Sequence, residues 1–296
     1  MRTKDKLSIA AITAFFIAGF FMLRALPDAQ CGFLHYEEVV HPDGTVEFCA
    51  TNHAGFLDLE RLKYPLQINL EASEAIEVGQ SSTVILTLKT LGGTAIAPHE
   101  LASTHTQQMH VMLIDPSMQD YHHVHPEAVD LNGRYRFDFT PNRAGSYRVF
   151  TEIVPLRTRR QMIATGSLAV GGQPKQSQFE STRLSVVDGI HFSLVGLPEQ
   201  LTTGRDYQMN LSVRDQTGAS IELQTIMGAR GHMVAFDQAG RGFAHMHPID
   251  RLAEAEPTSD SLGFLFNVPN PGWYRVFAQV KVNGREVFGR FDLWVE

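Results

Sequence analysis

Met109-His110-Val111-Met112-Leu113-Ile114, followed after six residues by Tyr121-His122-His123-Val124-His125-Pro126, decides the fold of this chain. Strand side chains alternate between two faces, so the apolar and histidine positions of this stretch read as two strands of a hairpin. With the turn at Ser117-Met118, His110 stands opposite His125 and Met112 opposite His123. These four share one face, with cross-strand Cβ atoms about 4.5–5.5 Å apart. Val111, Leu113 and Val124 take the other face, which is the expected core side. The spacing H-x12-H-x-H-P recurs 122 residues later as His232, His245, His247 and Pro248. There Val234 stands opposite His245, and Met233, Ala235 and Met246 face the core. His122 interrupts the alternation and is expected to point away from the triplet. Pro126 and Pro248 end their strands, because proline cannot donate to a ladder.

The flanks repeat as well. Ala144-Gly145-Ser146-Tyr147-Arg148-Val149-Phe150 matches Pro271-Gly272-Trp273-Tyr274-Arg275-Val276-Phe277. Short β-branched and aromatic runs punctuated by Gly and Pro surround both copies, among them Thr83–Leu88, Tyr135–Phe139, Tyr207–Val213 and Phe288–Val295. Such spacing predicts an all-β protein of two tandem immunoglobulin-like or cupredoxin-like sandwiches. The expected boundaries are 65–172 and 179–296, joined through the linker-like Gly171–Gln178. Phe150 and Phe277 read as core residues. His99 and His191 have no counterpart in the other copy and read as surface or packed side chains.

Ahead of the sandwiches, Arg2, Lys4 and Lys6 precede an apolar run from Leu7 to Leu23. Residues 1–30 are expected to be a signal anchor, or a signal peptide if cleaved, with the body on the periplasmic or extracellular face of a bacterial inner membrane. Residues 31–64 form a separate segment without an assignable fold. Its Cys31 and Cys49, the only cysteines in the chain, read first as a disulfide. A metal site with His35, His41 and His53, lipidation of Cys31, and two free thiols are the alternatives. The net charge is −7 even with four basic residues in the first 30, so nucleic acid is not an expected partner.

The histidines carry the functional expectation. Imidazole is the commonest protein metal ligand near neutral pH. His110, His123 and His125 are expected to hold one ion, and His232, His245 and His247 a second. His105 and Met227 lie five residues before the first histidine of each triplet and are candidate fourth ligands, with Met112 beside them. Thioether sulfur favours Cu(I), while imidazole accepts Cu(I), Cu(II) or zinc, so copper is the expected ion and zinc the alternative.

The repeated hairpin and the Gly-x-Tyr-Arg-Val-Phe strand resemble exported bacterial β-sandwich proteins similar to YtkA-like domains, a group associated with copper handling. The resemblance implies a sandwich fold, a periplasmic setting and ligands at the six triplet histidines. A metal-binding protein working beside a metal transporter or another envelope protein is the leading expectation, and no enzyme is predicted. A blue-copper carrier would need a cysteine ligand that neither sandwich has. Glu127 stands too close to His125 for a cupin-like ligand set. A copper-dependent redox enzyme and an immunoglobulin-like interaction module without metal are the alternatives.

Overall fold

A computed structural model describes residues 3–24, 36–40, 46–50, 55–249 and 261–296. Helix α1 (Thr3–Arg24) is one unit of the chain. Its segment Lys4–Met22 is long and apolar enough to cross a membrane, a property that a signal sequence shares.

The rest of the described chain is strand and loop, apart from one short 3-10 turn at Pro98–Glu100. A two-stranded hairpin of β1 (Tyr36–Val40) and β2 (Val46–Ala50) contains Cys49, but Cys31 and the side chain of Cys49 lie outside the described residues, as do His35, His41 and His53. The strands that follow are β3 (Leu57–Asp58), β4 (Leu66–Ala72), β5 (Ser82–Thr90), β6 (Met109–Ile114), β7 (Tyr121–Val124), β8 (Glu127–Ala128), β9 (Arg134–Phe139), β10 (Gly145–Ile153) and β11 (Met162–Val170). In the second half come β12 (Leu184–Val187), β13 (Ile190–Val195), β14 (Tyr207–Arg214), β15 (His232–Asp237), β16 (Gly242–Met246), β17 (Ser261–Phe266), β18 (Gly272–Val282) and β19 (Arg285–Val295).

Two β-sandwiches result, as the alternation predicts. The first packs sheet β4-β5-β9-β8 on sheet β11-β10-β6-β7, and the second packs β12-β13-β14-β17 on β19-β18-β15-β16-β3. Their cores are separate. Leu86, Val111, Leu113, Phe137, Tyr147 and Val149 belong to one, and Phe192, Leu211, Met233, Ala235, Val276 and Phe291 to the other. Both carry a tyrosine over the turn that enters the central strand. Tyr274 donates to the Asn270 carbonyl at 2.7 Å, while Tyr147 sits over the Arg143 turn and donates to Asp120. This corner is characteristic of immunoglobulin-like sandwiches.

The predicted hairpin registers are the observed ones. Val111 pairs with Val124 and Met112 with His123, while Met233 pairs with Met246 and Val234 with His245. The histidine faces therefore point away from their own cores. They do not meet solvent, because the two sheets that bear them pack on each other. Met112, Ile114, Tyr121 and Phe150 of the first sandwich join Val234, Phe236, Phe243 and Phe277 of the second in a third apolar core. Phe150 and Phe277 are thus core residues, but of the contact between sandwiches. Burying such a side chain contributes about 1.5–3 kcal/mol.

The contact is reciprocal, as in a two-fold dimer. Arg275 of β18 reaches the β6–β7 turn and donates to the Ser117 and Met118 carbonyls at 3.2 and 3.0 Å. Arg148, at the matching place in β10, lays its guanidinium directly over Gly240 in the β15–β16 turn, where a Cβ would displace it. The segment expected to stand apart before residue 65 also joins this assembly. Its β3 is the edge strand of the second sandwich, paired with β16, and Leu57, Leu59 and Tyr64 pack on the third core.

Candidate metal centre

Three rows of side chains cross each facing sheet. Register places Glu152 beside His110 in the first sheet and Gln279 beside His232 in the second. The next row runs Phe150, Met112, His123 in one sheet and Phe277, Val234, His245 in the other. His125 and His247 follow just after β7 and β16. All six triplet histidines are thereby brought to the contact between the sandwiches.

Each triplet is compact. The donor nitrogens of His110, His123 and His125 lie within 4.8 Å of one another, and so do those of His232, His245 and His247. Across the contact the ring centroids of His123 and His245 are 5.3 Å apart and those of His110 and His245 5.7 Å. These match the separations within a triplet, such as 5.4 Å for His110 and His123. The two triads form one cluster.

Hydrogen bonds fix the tautomers. His110 Nε2 lies 2.9 Å from the Thr104 carbonyl and His232 Nε2 3.1 Å from the Ile226 carbonyl. A carbonyl only accepts, so each Nε2 carries the proton and each Nδ1 presents a lone pair. His123 Nδ1 lies 3.0 Å from Gln279 Oε1. The Gln279 amide nitrogen donates to Glu286 at 2.7 Å, which leaves its oxygen to accept from His123. His245 Nδ1 faces the Glu152 carboxylate at 3.2 Å. The Nε2 atoms of His123 and His245 are left as acceptors.

A consequence appears between His110 and His123. His110 Nδ1 and His123 Nε2 are 3.2 Å apart, and both are lone-pair nitrogens. Two such atoms repel unless a cation lies beside them. Nitrogens bound about 2.0–2.1 Å from one tetrahedral or trigonal ion sit about 3.3–3.6 Å from each other. In the same cluster His125 Nε2, His232 Nδ1, His245 Nε2 and His247 Nε2 are buried with no hydrogen-bond partner. An unmet buried polar atom costs about 1–3 kcal/mol, so four in one place call for a ligand.

Burial disfavours the charged form of five of the triad rings and of His105. Burial first, then the neighbouring imidazoles, lower His105 and His125 to about 3. Burial lowers His110 to about 4 against the partial opposition of Glu152. His123, His232 and His247 are pushed well down by burial first and then by neighbouring rings, His245 foremost at His123 and His232 and His105 at His247. Burial alone would raise Glu152, but attraction to positive charge at His245, the hydrogen bond to that ring and, less, attraction to charge at His110 overcome it and hold the carboxyl at about 2. At His110, His123, His125, His232 and His247 the result is a set of nitrogens at which protons do not compete with a metal near neutral pH.

The remaining predicted ligands are placed differently from one another. His105 and Met227 occupy equivalent loops, and both adopt positive φ, 51° and 49°. The loops meet, with Thr106 packed beside Gly228. His105 stacks on His247 at 3.7 Å and stands 6.4 Å from His110, so it leans over the triad of the other sandwich. Met112 is fully buried in the apolar core between the sandwiches, beside the triad rather than in it. His122 turns to the core side as expected, edge-on to Phe139 and 3.0 Å from Asp120. His99 and His191 are exposed.

Glu152 and Gln279 are the functional residues that sequence reasoning missed. Each lies two positions beyond the matched Phe150 and Phe277, at equivalent places in the two copies. Each supports the central histidine of the opposite sandwich, which no pattern within one copy reveals.

Fold and site together define two immunoglobulin-like sandwiches that enclose a polyhistidine cluster. A family model described as Domain of unknown function (DUF8832) matches residues 64–166 and 185–296, and the chain belongs to that family. This is the family found, in place of the YtkA-like group expected from the hairpin motif. No curated protein matches the chain. Among solved structures it is similar to fibronectin(III)-like modules of Clostridium thermocellum CbhA, with 10% identity over 78% of this chain and 94% of that one and a TM-score of 0.21. It is also similar to a CARDB domain from Pyrococcus furiosus solved in complex with di-metal ions, with 19% identity over 36% of this chain and 87% of that one and a TM-score of 0.20.

Proposed function

We propose that the protein binds metal ions at the two histidine triads, one ion per triad, and that copper is the physiological ion. The observation that carries this reading is the pair of lone-pair nitrogens of His110 and His123 at 3.2 Å, with the four unpartnered ring nitrogens around them. Copper is favoured over zinc by the donor set. Three imidazoles with no carboxylate behind them, as at His110, His123 and His125, suit a three-coordinate monovalent ion, whose Born penalty is about a quarter of that of a divalent ion of equal size. Zinc would need a fourth ligand, such as water or the ring of His105.

Anchored or released outside the cytoplasm through its N-terminal helix, the protein would buffer the ion or pass it to an envelope partner such as a transporter.

Metal titration of the full chain in detergent, followed by absorption-edge spectroscopy, tests the proposal. The expected result is about two copper ions per chain, lost in a His123→Ala, His125→Ala, His245→Ala, His247→Ala variant. Unchanged stoichiometry in that variant would refute it. A wild-type chain that takes up no metal would favour the reading as an immunoglobulin-like interaction module whose histidines serve the packing of the sandwiches.

A further inference from the structure

The two triads are alike in ligands and unlike in charge. Glu152 and Gln279 hold the same register position, beside the first histidine of their own triad. Both cross the contact to the central histidine of the opposite one. Glu152 is 4% exposed and Gln279 2%. The groups that act on Glu152 are the rings of His245 and His110 and the Gln161 side chain, none of them a permanent cation. A carboxylate buried in this way is stable only beside a positive charge.

Resting on the metal-site reading above, we propose that the triads fill in a fixed order set by ion charge. The triad His232, His245, His247, backed by Glu152, takes a divalent ion first. The triad His110, His123, His125, backed by neutral Gln279, takes the second ion more weakly and suits a monovalent one. The carboxylate stabilises a cation bound at His245 Nε2 by Coulomb attraction through the ring and by raising the basicity of the ligand, as acidic partners of metal-bound histidines do. The Gln279 amide orients His123 but supplies no charge. Two ions in adjoining triads also repel each other, which widens the gap between the two binding steps.

The test is calorimetric titration of the full chain in detergent with Zn(II), a redox-inert divalent probe, followed by Cu(I) as the monovalent one. Wild type is expected to show two steps at least tenfold apart for Zn(II). Glu152→Gln keeps the hydrogen bond to His245 and removes only the charge. It should weaken the tighter step by about 10–100-fold, in the range of such partner substitutions, and the other clearly less, since Glu152 stands beside His110 without bonding to a ring of that triad. Gln279→Glu should strengthen the weaker step, and the exchange Glu152→Gln with Gln279→Glu should reverse which triad fills first. Reversal is read with His123→Ala/His125→Ala and His245→Ala/His247→Ala backgrounds, which leave one triad each. Coulomb energy scales with ion charge, so the logarithm of the Glu152→Gln effect for Cu(I) should be about half that for Zn(II). A purely structural role for Glu152 predicts no such dependence. Equal weakening of both steps, no weakening, or the same factor for both ions would overturn the proposal while metal binding itself stands. Absence of any binding to wild type would overturn the underlying metal reading.

Discussion

Arg275 offers the most direct measure of what holds the two halves of this site together. Its side chain is 1% exposed and forms a two-pronged pair with Asp292, both N–O distances being 2.6 Å. It also donates to the carbonyls of Ser117 and Met118 at the tip of the first sandwich's hairpin, and to Gln178 in the connecting segment at 2.6 Å. Phe179 packs beneath the guanidinium with 4.5 Å between its ring centre and Cζ. Arg275→Ala leaves Asp292 buried without its cation, a loss of about 3–5 kcal/mol. Arg275→Leu with Asp292→Leu removes both charges and leaves unmet only the carbonyls and the Glu180 amide that Asp292 accepts from at 3.2 Å, a loss of about 1–3 kcal/mol. The single substitution is therefore expected to be the more damaging by about 2 kcal/mol. Urea unfolding of the full chain, compared at the transition midpoint, measures both. The Ser117–Met118 turn joins the strands that bear His110 and His123, so metal affinity should fall in both variants. If Arg275→Ala stays within about 1 kcal/mol of wild type, or the double variant is no better than the single one, the clamp does not work as argued.

Two further outcomes follow from the same contact. The rings of His110 and His125 stay neutral in the folded chain down to about 4 and about 3, whereas unfolded imidazoles charge below about 6.5. The unfolded state then binds more protons between pH 4 and 6.5, so stability of the metal-free chain is full above pH 6.5 and declines as the pH drops, by roughly 1–2 kcal/mol per ring at pH 5. Glu152, with its carboxyl held at about 2, gives up its own contribution only in more acid solution. Melting of the chelated protein at pH 7.5 and pH 5 checks this, and equal midpoints would contradict it. Phe236→Ala empties a fully buried position between the sandwiches and should cost about 3–5 kcal/mol, with a matching drop in metal affinity. Lost stability with unchanged affinity would mean that the triads do not depend on the contact.

Much of this was legible in the sequence because strands have a period of two. That period alone assigns His110, Met112, His123 and His125 to one face, and a turn at Ser117-Met118 then fixes their partners. The partner of that face was not legible, since nothing within one hairpin says what covers it. A sign was present all the same. Every residue of β6 and β15 is buried, and the sequences Met109–Ile114 and His232–Asp237 are too apolar for strands with one face in water. The role of β3 was hidden for a different reason. Two residues, Leu57 and Asp58, add to a sheet whose other strands begin at residue 232, and so short a pairing leaves no periodic trace.

Joining two copies in one chain explains why the site can be asymmetric at all. A homodimer built on this contact would place the same residue at both crossing positions. It would bury two carboxylates among the histidines, or none. In a single chain the positions vary separately, so one buried negative charge can serve a cluster that takes two cations. The same freedom appears wherever the equivalent places differ. His105 covers the second triad where Met227 holds the matching loop, and Arg275 is paired with Asp292 while Arg148 lies over Gly240. Reciprocal packing supplies the enclosure, and these substitutions supply the difference between its halves.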